Sequence, residues 1–198
     1  MLRVPSVADM TLVRLLLSVF GLSACLVAAA FGQSPPSDAV ARSVALFREA
    51  GKVLQHPRCL NCHPVGDRPT QNDTMRPHIS RVVRGADGHG PPGLPCSACH
   101  HAANYDAAHV PGHTDWHLAP ASMAWAGKSL GAICVQIKDP ARNGGRDMAA
   151  LLRHVSEDSL VGWAWSPGAG RTSAPGTQAE FGAVMRAWAE SGAHCPPE

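Results

Sequence analysis

Apolar positions recur at three- and four-residue spacing in four stretches, and each predicts an amphipathic helix. The first, residues 37–55, carries Val40, Val44, Phe47, Ala50 and Leu54 on one face. Ser37 or Asp38 is placed to cap it. Gln55-His56-Pro57 ends it, because a residue before proline is pushed out of the helical region. Residues 129–138 align Leu130, Ile133, Cys134 and Ile137, and residues 146–155 align Met148, Leu151, Leu152 and Val155. Residues 178–191 align Phe181, Val184, Met185 and Trp188. This last helix opens on Thr177-Gln178-Ala179-Glu180, a capping-box pattern in which each end bonds a free backbone amide. Gly192 suits its C-terminal cap.

Elsewhere the pattern breaks down. Residues 64–95 are dense in Pro, Gly, Asp and Asn and hold no period, and residues 101–122 continue in an irregular, histidine-rich style. A structureless connection this long inside a small domain is usually functional or disordered. Ser166 to Gly176 reads as a loop.

The N-terminus has a different pattern. Arg3 and Arg14 precede an uncharged run from Leu15 to Ala30, shorter than the ~20 residues of a spanning helix. Ala28-Ala29-Ala30 and Ala30-Phe31-Gly32 fit a small-x-small cleavage site. Residues 1–32 are therefore expected to be an export signal, and 33–198 the mature domain. Leu22-Ser23-Ala24-Cys25 also matches a lipoprotein box, which keeps membrane anchoring at Cys25 as the second reading. Either route places the mature chain in the periplasm, outside the reducing cytoplasm.

Composition adds two constraints. Net charge is +2 and the basic residues do not cluster, which argues against a nucleic-acid partner. Aromatic content is only 5%, so an ordinary core would be thin, and an apolar cofactor would supply the missing bulk.

The cysteines say which cofactor. Of the seven, Cys25 falls in the signal. Cys134 and Cys195 have no motif spacing and are expected to pair as a disulfide. The other four stand in two C-x-x-C-H motifs: Cys59, Cys62 and His63, then Cys96, Cys99 and His100. A redox C-x-x-C usually occurs once, in a strand-to-helix setting absent here. A zinc ribbon spaces its pairs by about 15–20 residues, closer than these, and neither reading needs the histidine. C-x-x-C-H uses every residue: two thiols join the two vinyl groups of a haem, and the histidine binds its iron. Two matches behind an export signal predict two covalent c-type haems, with His63 and His100 as proximal ligands.

Each iron needs a sixth ligand, His or Met. Met148 and Met185 lie on apolar helical faces and read as core, while His154 and His194 read as surface or core residues. His56 and His101 sit too near their own motifs to cross the same ring. His78, His113 and His117 are the preferred distal candidates, with His89, Met75 and Met123 as rivals. One ligand is expected from His78 and another from His113 or His117. His113 and His117 also have the i, i+4 spacing of a zinc pair, but no further ligands adjoin them in sequence. Arg81 and Arg84 are offered to haem propionates, plain solvation being the alternative for at least one.

Several long stretches then carry a resemblance. They are "RCLNCHPVGDRPTQ", "RGADGHGPPGLPCSACH", "HLAPASMAWAGKSLGAICVQIKDPARNGGRD", "EDSLVGWAW" and "APGTQAEFG". On these the chain resembles small periplasmic dihaem cytochromes c labelled as subunits of isoquinoline 1-oxidoreductase, a molybdenum hydroxylase. A local likeness to the dihaem subunit of periplasmic nitrate reductase, where a histidine in an M-x-P-H context precedes a haem motif, assigns His78 to the second haem. The resemblance implies a carrier that takes electrons from a molybdenum hydroxylase and passes them to a respiratory acceptor.

The expected fold is mainly α. It is a small multihaem cytochrome c-like domain with short helices and long ordered loops around two haems. It has a leading helix at 37–55, a haem-binding region at 56–122 and a helical part at 123–198. The alternatives are a small dihaem peroxidase or reductase with one open iron, and a zinc or disulfide module without haem.

Overall fold

The computed structural model describes residues 36–198; the expected export signal 1–32, with Cys25, lies outside the described residues. The chain is mainly α. It has six α-helices, a few single 3₁₀ turns and one minimal β-ladder among the described residues. No described helix is long and apolar enough to cross a membrane.

Helix α1, Pro36–Leu54, follows the predicted stripe: Phe47, Ala50 and Leu54 are buried. Val40 is 39% exposed, because the side chains of residues 37–42 are all exposed and this end of the helix overhangs its support. Helix α2, Pro57–Leu60, begins directly after the break at Pro57, with the His56 ring accepting the Arg58 N–H at 3.2 Å. Four residues give no period to read.

Helix α3, Leu130–Lys138, is capped by Ser129, and α4, Met148–Glu157, by Asp147, whose carboxylate accepts the Ala150 N–H at 2.7 Å. That cap starts α4 two residues later than the apolar spacing suggests. Asp158 caps a further short helix, α5, Ser159–Gly162. Helix α6, Gln178–Glu190, starts where expected, with the Thr177 hydroxyl accepting the Glu180 N–H at 3.2 Å. The other half of the box differs: the Glu180 carboxylate accepts from the Thr177 hydroxyl at 3.0 Å, not from a backbone amide. Gly192, at φ 102°, takes the left-handed turn that ends this helix.

The core gathers these stripes. Phe47 of α1 packs on Trp188 of α6 at 4.9 Å between ring centroids, and Ile133, Met185 and Trp188 are fully enclosed. The buried Ser43 hydroxyl donates to the Trp188 carbonyl of α6 at 3.4 Å and accepts the His194 N–H, from the segment after α6, at 3.0 Å. The Cys134–Cys195 disulfide forms, with Cα atoms 5.6 Å apart. It ties α3 to the segment after α6, rather than to α6 itself.

The aperiodic segments are ordered by specific polar contacts. Thr70–Gln71 and Arg76–Pro77 pair as a two-residue antiparallel ladder. Arg84 is buried and donates to the carbonyls of Ala119 and Gly66, so it braces two loops. Arg81 is exposed. Buried Arg58 pairs with Asp73, which also accepts from the Thr172 hydroxyl at 2.7 Å. That contact links the region of the first C-x-x-C-H motif to the loop before α6.

Candidate functional site

The first C-x-x-C-H motif is a helical turn. Cys62 N–H bonds the Cys59 carbonyl at 3.1 Å, and His63 N–H bonds the same carbonyl at 3.1 Å. The segment 119–126 is sewn along it: Ala119 N–H bonds the Cys62 carbonyl at 3.1 Å, and Trp125 N–H bonds the His63 carbonyl at 2.9 Å. The His63 ring stacks on Trp125 at 3.5 Å, 6° from parallel, and its Nδ1 donates to the Met123 carbonyl at 2.7 Å. A carbonyl can only accept, so Nδ1 carries the proton and Nε2 keeps its lone pair.

The second motif repeats this posture. Cys96–Ala98 is a 3₁₀ turn, and His100 N–H bonds the Cys96 carbonyl at 2.9 Å. The His100 ring stacks on Trp116 at 4.7 Å, and its Nδ1 donates to the Pro111 carbonyl at 2.7 Å. Gly112 keeps that carbonyl in place. A Cβ there would overlap the carbonyl oxygens of Ala103 and His101. Cys99 is exposed and Cys96 half-buried, so this site is more open than the first.

Beside the first motif lies a cavity with about 980 Å³ of non-atom space, its open mouth included. Cys59, Cys62 and His63 form part of its wall, with Met123 and Trp125; apolar Leu151, Val155 and Phe181 form another part. Burial pushes the Cys59 thiol up to about 12 and the Cys62 thiol up to about 11. These are protonated thiols, unlike the lowered thiol of a redox C-x-x-C. The His63 imidazole is pushed down to about 3 by burial, against the Met123 hydrogen bond, so it stays neutral.

The other predicted residues fall in different places. The His78 ring lies 6.0 Å from the His100 ring, with Nδ1 facing the Ser80 carbonyl at 3.2 Å. His117 lines the first cavity, and its Nδ1 bonds the Asp115 carbonyl at 2.8 Å. His113 has both nitrogens engaged: Nδ1 accepts the Asp115 N–H at 3.1 Å, and Nε2 meets the Ser159 hydroxyl at 3.0 Å. Met75 is exposed in the small hairpin. Of the proposed zinc pair only His117 joins a group with metal-ligand spacing; Asp115, which the sequence reading passed over between the two histidines, belongs to it, as does distant His89, while His113 does not. His89 lies 2.9 Å from the Asp115 carboxylate, and His117 lies 3.5 Å from it. Among the described residues, no cluster able to hold a metal ion includes a cysteine of either motif.

His154 is the residue that sequence reasoning set aside and the structure brings in. It lines the cavity from α4 together with Leu151 and Val155. The signal was a histidine standing three residues after one apolar position and beside another, on the inward stripe.

Two buried donors lack partners here: Arg58 Nε and Trp125 Nε1, both in residues of the cavity wall. Each unsatisfied group costs about 1–3 kcal/mol. Two thiols, a free imidazole nitrogen, apolar walls and two donors awaiting an acceptor fit a haem with its carboxylate propionates. No protein-family model matches the chain, and neither the curated proteins nor the solved structures yield a similar protein.

Proposed function

We propose that this chain is a dihaem c-type cytochrome that carries electrons in the periplasm. The observation that carries the reading is the shared posture of His63 and His100. Each follows its C-x-x-C pair, stacks on a tryptophan and donates Nδ1–H to a backbone carbonyl at 2.7 Å, leaving Nε2 for a metal. Cys59 and Cys62 would hold one haem through thioether bonds, and Cys96 and Cys99 the other. His63 and His100 would each supply an imidazole nitrogen to an iron. When bound, haem iron supplies one-electron chemistry between its ferric and ferrous states.

The remaining residues shape that chemistry. Leu151, Val155 and Phe181 keep water from the first site, and Arg58 and Trp125 offer N–H groups to propionates. Trp116 links the two sites: it stacks on His100 and meets Trp163, in the first cavity's wall, edge-on at 4.8 Å. The resemblance noted in the sequence supports a molybdenum hydroxylase as electron donor and a respiratory carrier as acceptor.

The test is a haem-stained denaturing gel on chain matured in the periplasm, since only thioether-linked haem survives denaturation. Stain on the wild-type chain, reduced in a Cys59→Ala/Cys62→Ala variant and in a Cys96→Ala/Cys99→Ala variant, is expected. An unstained wild-type chain overturns the proposal. Rapid, stoichiometric binding of carbon monoxide to the reduced wild-type protein would point instead to an enzyme with an open iron.

A further inference from the structure

The first cavity has walls of separate origin. One is the His63 motif with the segment sewn to it. Met123 and Trp125 belong to that wall, because the Met123 carbonyl and the Trp125 ring both engage the His63 imidazole. His117 is tethered to it, two residues before Ala119, whose N–H bonds the Cys62 carbonyl. Helices α4, α5 and α6 contribute Leu151, His154, Val155, Leu160, Val161 and Phe181. Of these six, His154 alone has an atom able to ligate iron.

Its environment is that of a metal-binding histidine. His154 Nδ1 lies 3.0 Å from Asp158 Oδ2. An ionised carboxylate only accepts, so Nδ1 keeps the proton and Nε2 keeps the lone pair. Asp158 is itself fixed: its Oδ1 accepts the Leu160 N–H at 2.9 Å, capping α5. A carboxylate held on the outer nitrogen of an imidazole orients the ring and makes it a stronger donor.

We infer that His154 is the second axial ligand of the iron held at His63, with Asp158 as its positioning residue. This rests on the haem reading above. The bond forms from the Nε2 lone pair to iron, and no proton leaves because Nδ1 holds it. The first site is then bis-histidine, which favours a low reduction potential.

The experiment uses the haem-loaded protein. In His154→Ala, one of the two irons is expected to turn high-spin by electron paramagnetic resonance. It should also bind one carbon monoxide per chain when reduced, and added imidazole should restore the low-spin signal. Asp158→Asn is expected to stay low-spin while the potential of one haem rises; an unchanged potential removes Asp158 from the inference. If His154→Ala keeps both irons low-spin and inert to carbon monoxide, the inference is overturned. The same holds if the open-iron signature arises in His117→Ala instead. Where His154→Ala fails to load haem, a crystal structure of the loaded wild-type protein decides, by showing whether His154 Nε2 is bonded to the iron. Failure of the underlying reading is separate and visible earlier, as wild-type chain with no covalent haem.

Discussion

His63 and His100 show how much of a site one backbone carbonyl can set. The motif spacing identifies the two histidines, but their tautomer depends on the carbonyls of Met123 and Pro111, which lie outside the motifs, 60 and 11 residues along the chain. Spacing carries no information about such partners. His154 was hidden for a related reason: a histidine on an apolar stripe looks the same whether it lines a core or a cavity. Gly112 makes the dependence testable. Gly112→Ala forces apart the loop that presents the Pro111 carbonyl. A loss of about 1–3 kcal/mol in denaturant unfolding is expected, with disturbance of one haem spectrum and not the other. A second test concerns Asp73. Hydrogen bonds from Thr172 hold its carboxylate below the ordinary range, against a cost of burial, and Arg58 adds to the effect. A folded-state pKa below the unfolded value of about 3.9 gives stability that is present above that pH and lost as pH falls through the folded value. Unfolding midpoints of the wild type should therefore fall more steeply below about pH 4 than those of Asp73→Asn. Parallel curves would contradict the pairing.

At the scale of elements, helices α1, α3, α4 and α6 were legible because each carries several turns of apolar periodicity. Three of them also begin on side-chain caps at Ser129, Asp147 and Thr177. Helices α2 and α5 have only four residues each, less than the pattern needs, yet they carry Cys59 and cavity-lining Leu160. The irregular region from 56 to 122 was legible only as irregular. Its order comes from buried Arg58 and Arg84 reaching across sequence, which no local pattern encodes. The Thr177 cap offers a direct check: Thr177→Ala removes the acceptor for the Glu180 N–H and should cost about 1 kcal/mol, measured by chemical denaturation. No change would mean that Glu180 or solvent satisfies the helix end unaided.

Over the whole molecule, the helical part supplies both the core and one side of the cavity, with Leu151, Val155 and Phe181 belonging to both. The helical core is closed by the disulfide, which spans a sequence separation of 61 residues. Replacing both Cys134 and Cys195 by alanine should cost about 4 kcal/mol in the chain-entropy model, read from denaturant midpoints. The motif region has few apolar side chains of its own and packs against a cavity, so it depends on what fills that space. Haem-free chain is expected to exchange amide hydrogens rapidly from Cys59 to His117 while α3, α4 and α6 stay protected; uniform protection would contradict this. The most direct measurement is the intact mass of the wild-type chain purified from the periplasm. A mature chain carrying two haem-sized additions is the expected result, and a chain with none, its four motif thiols free to alkylate, would contradict the central claim.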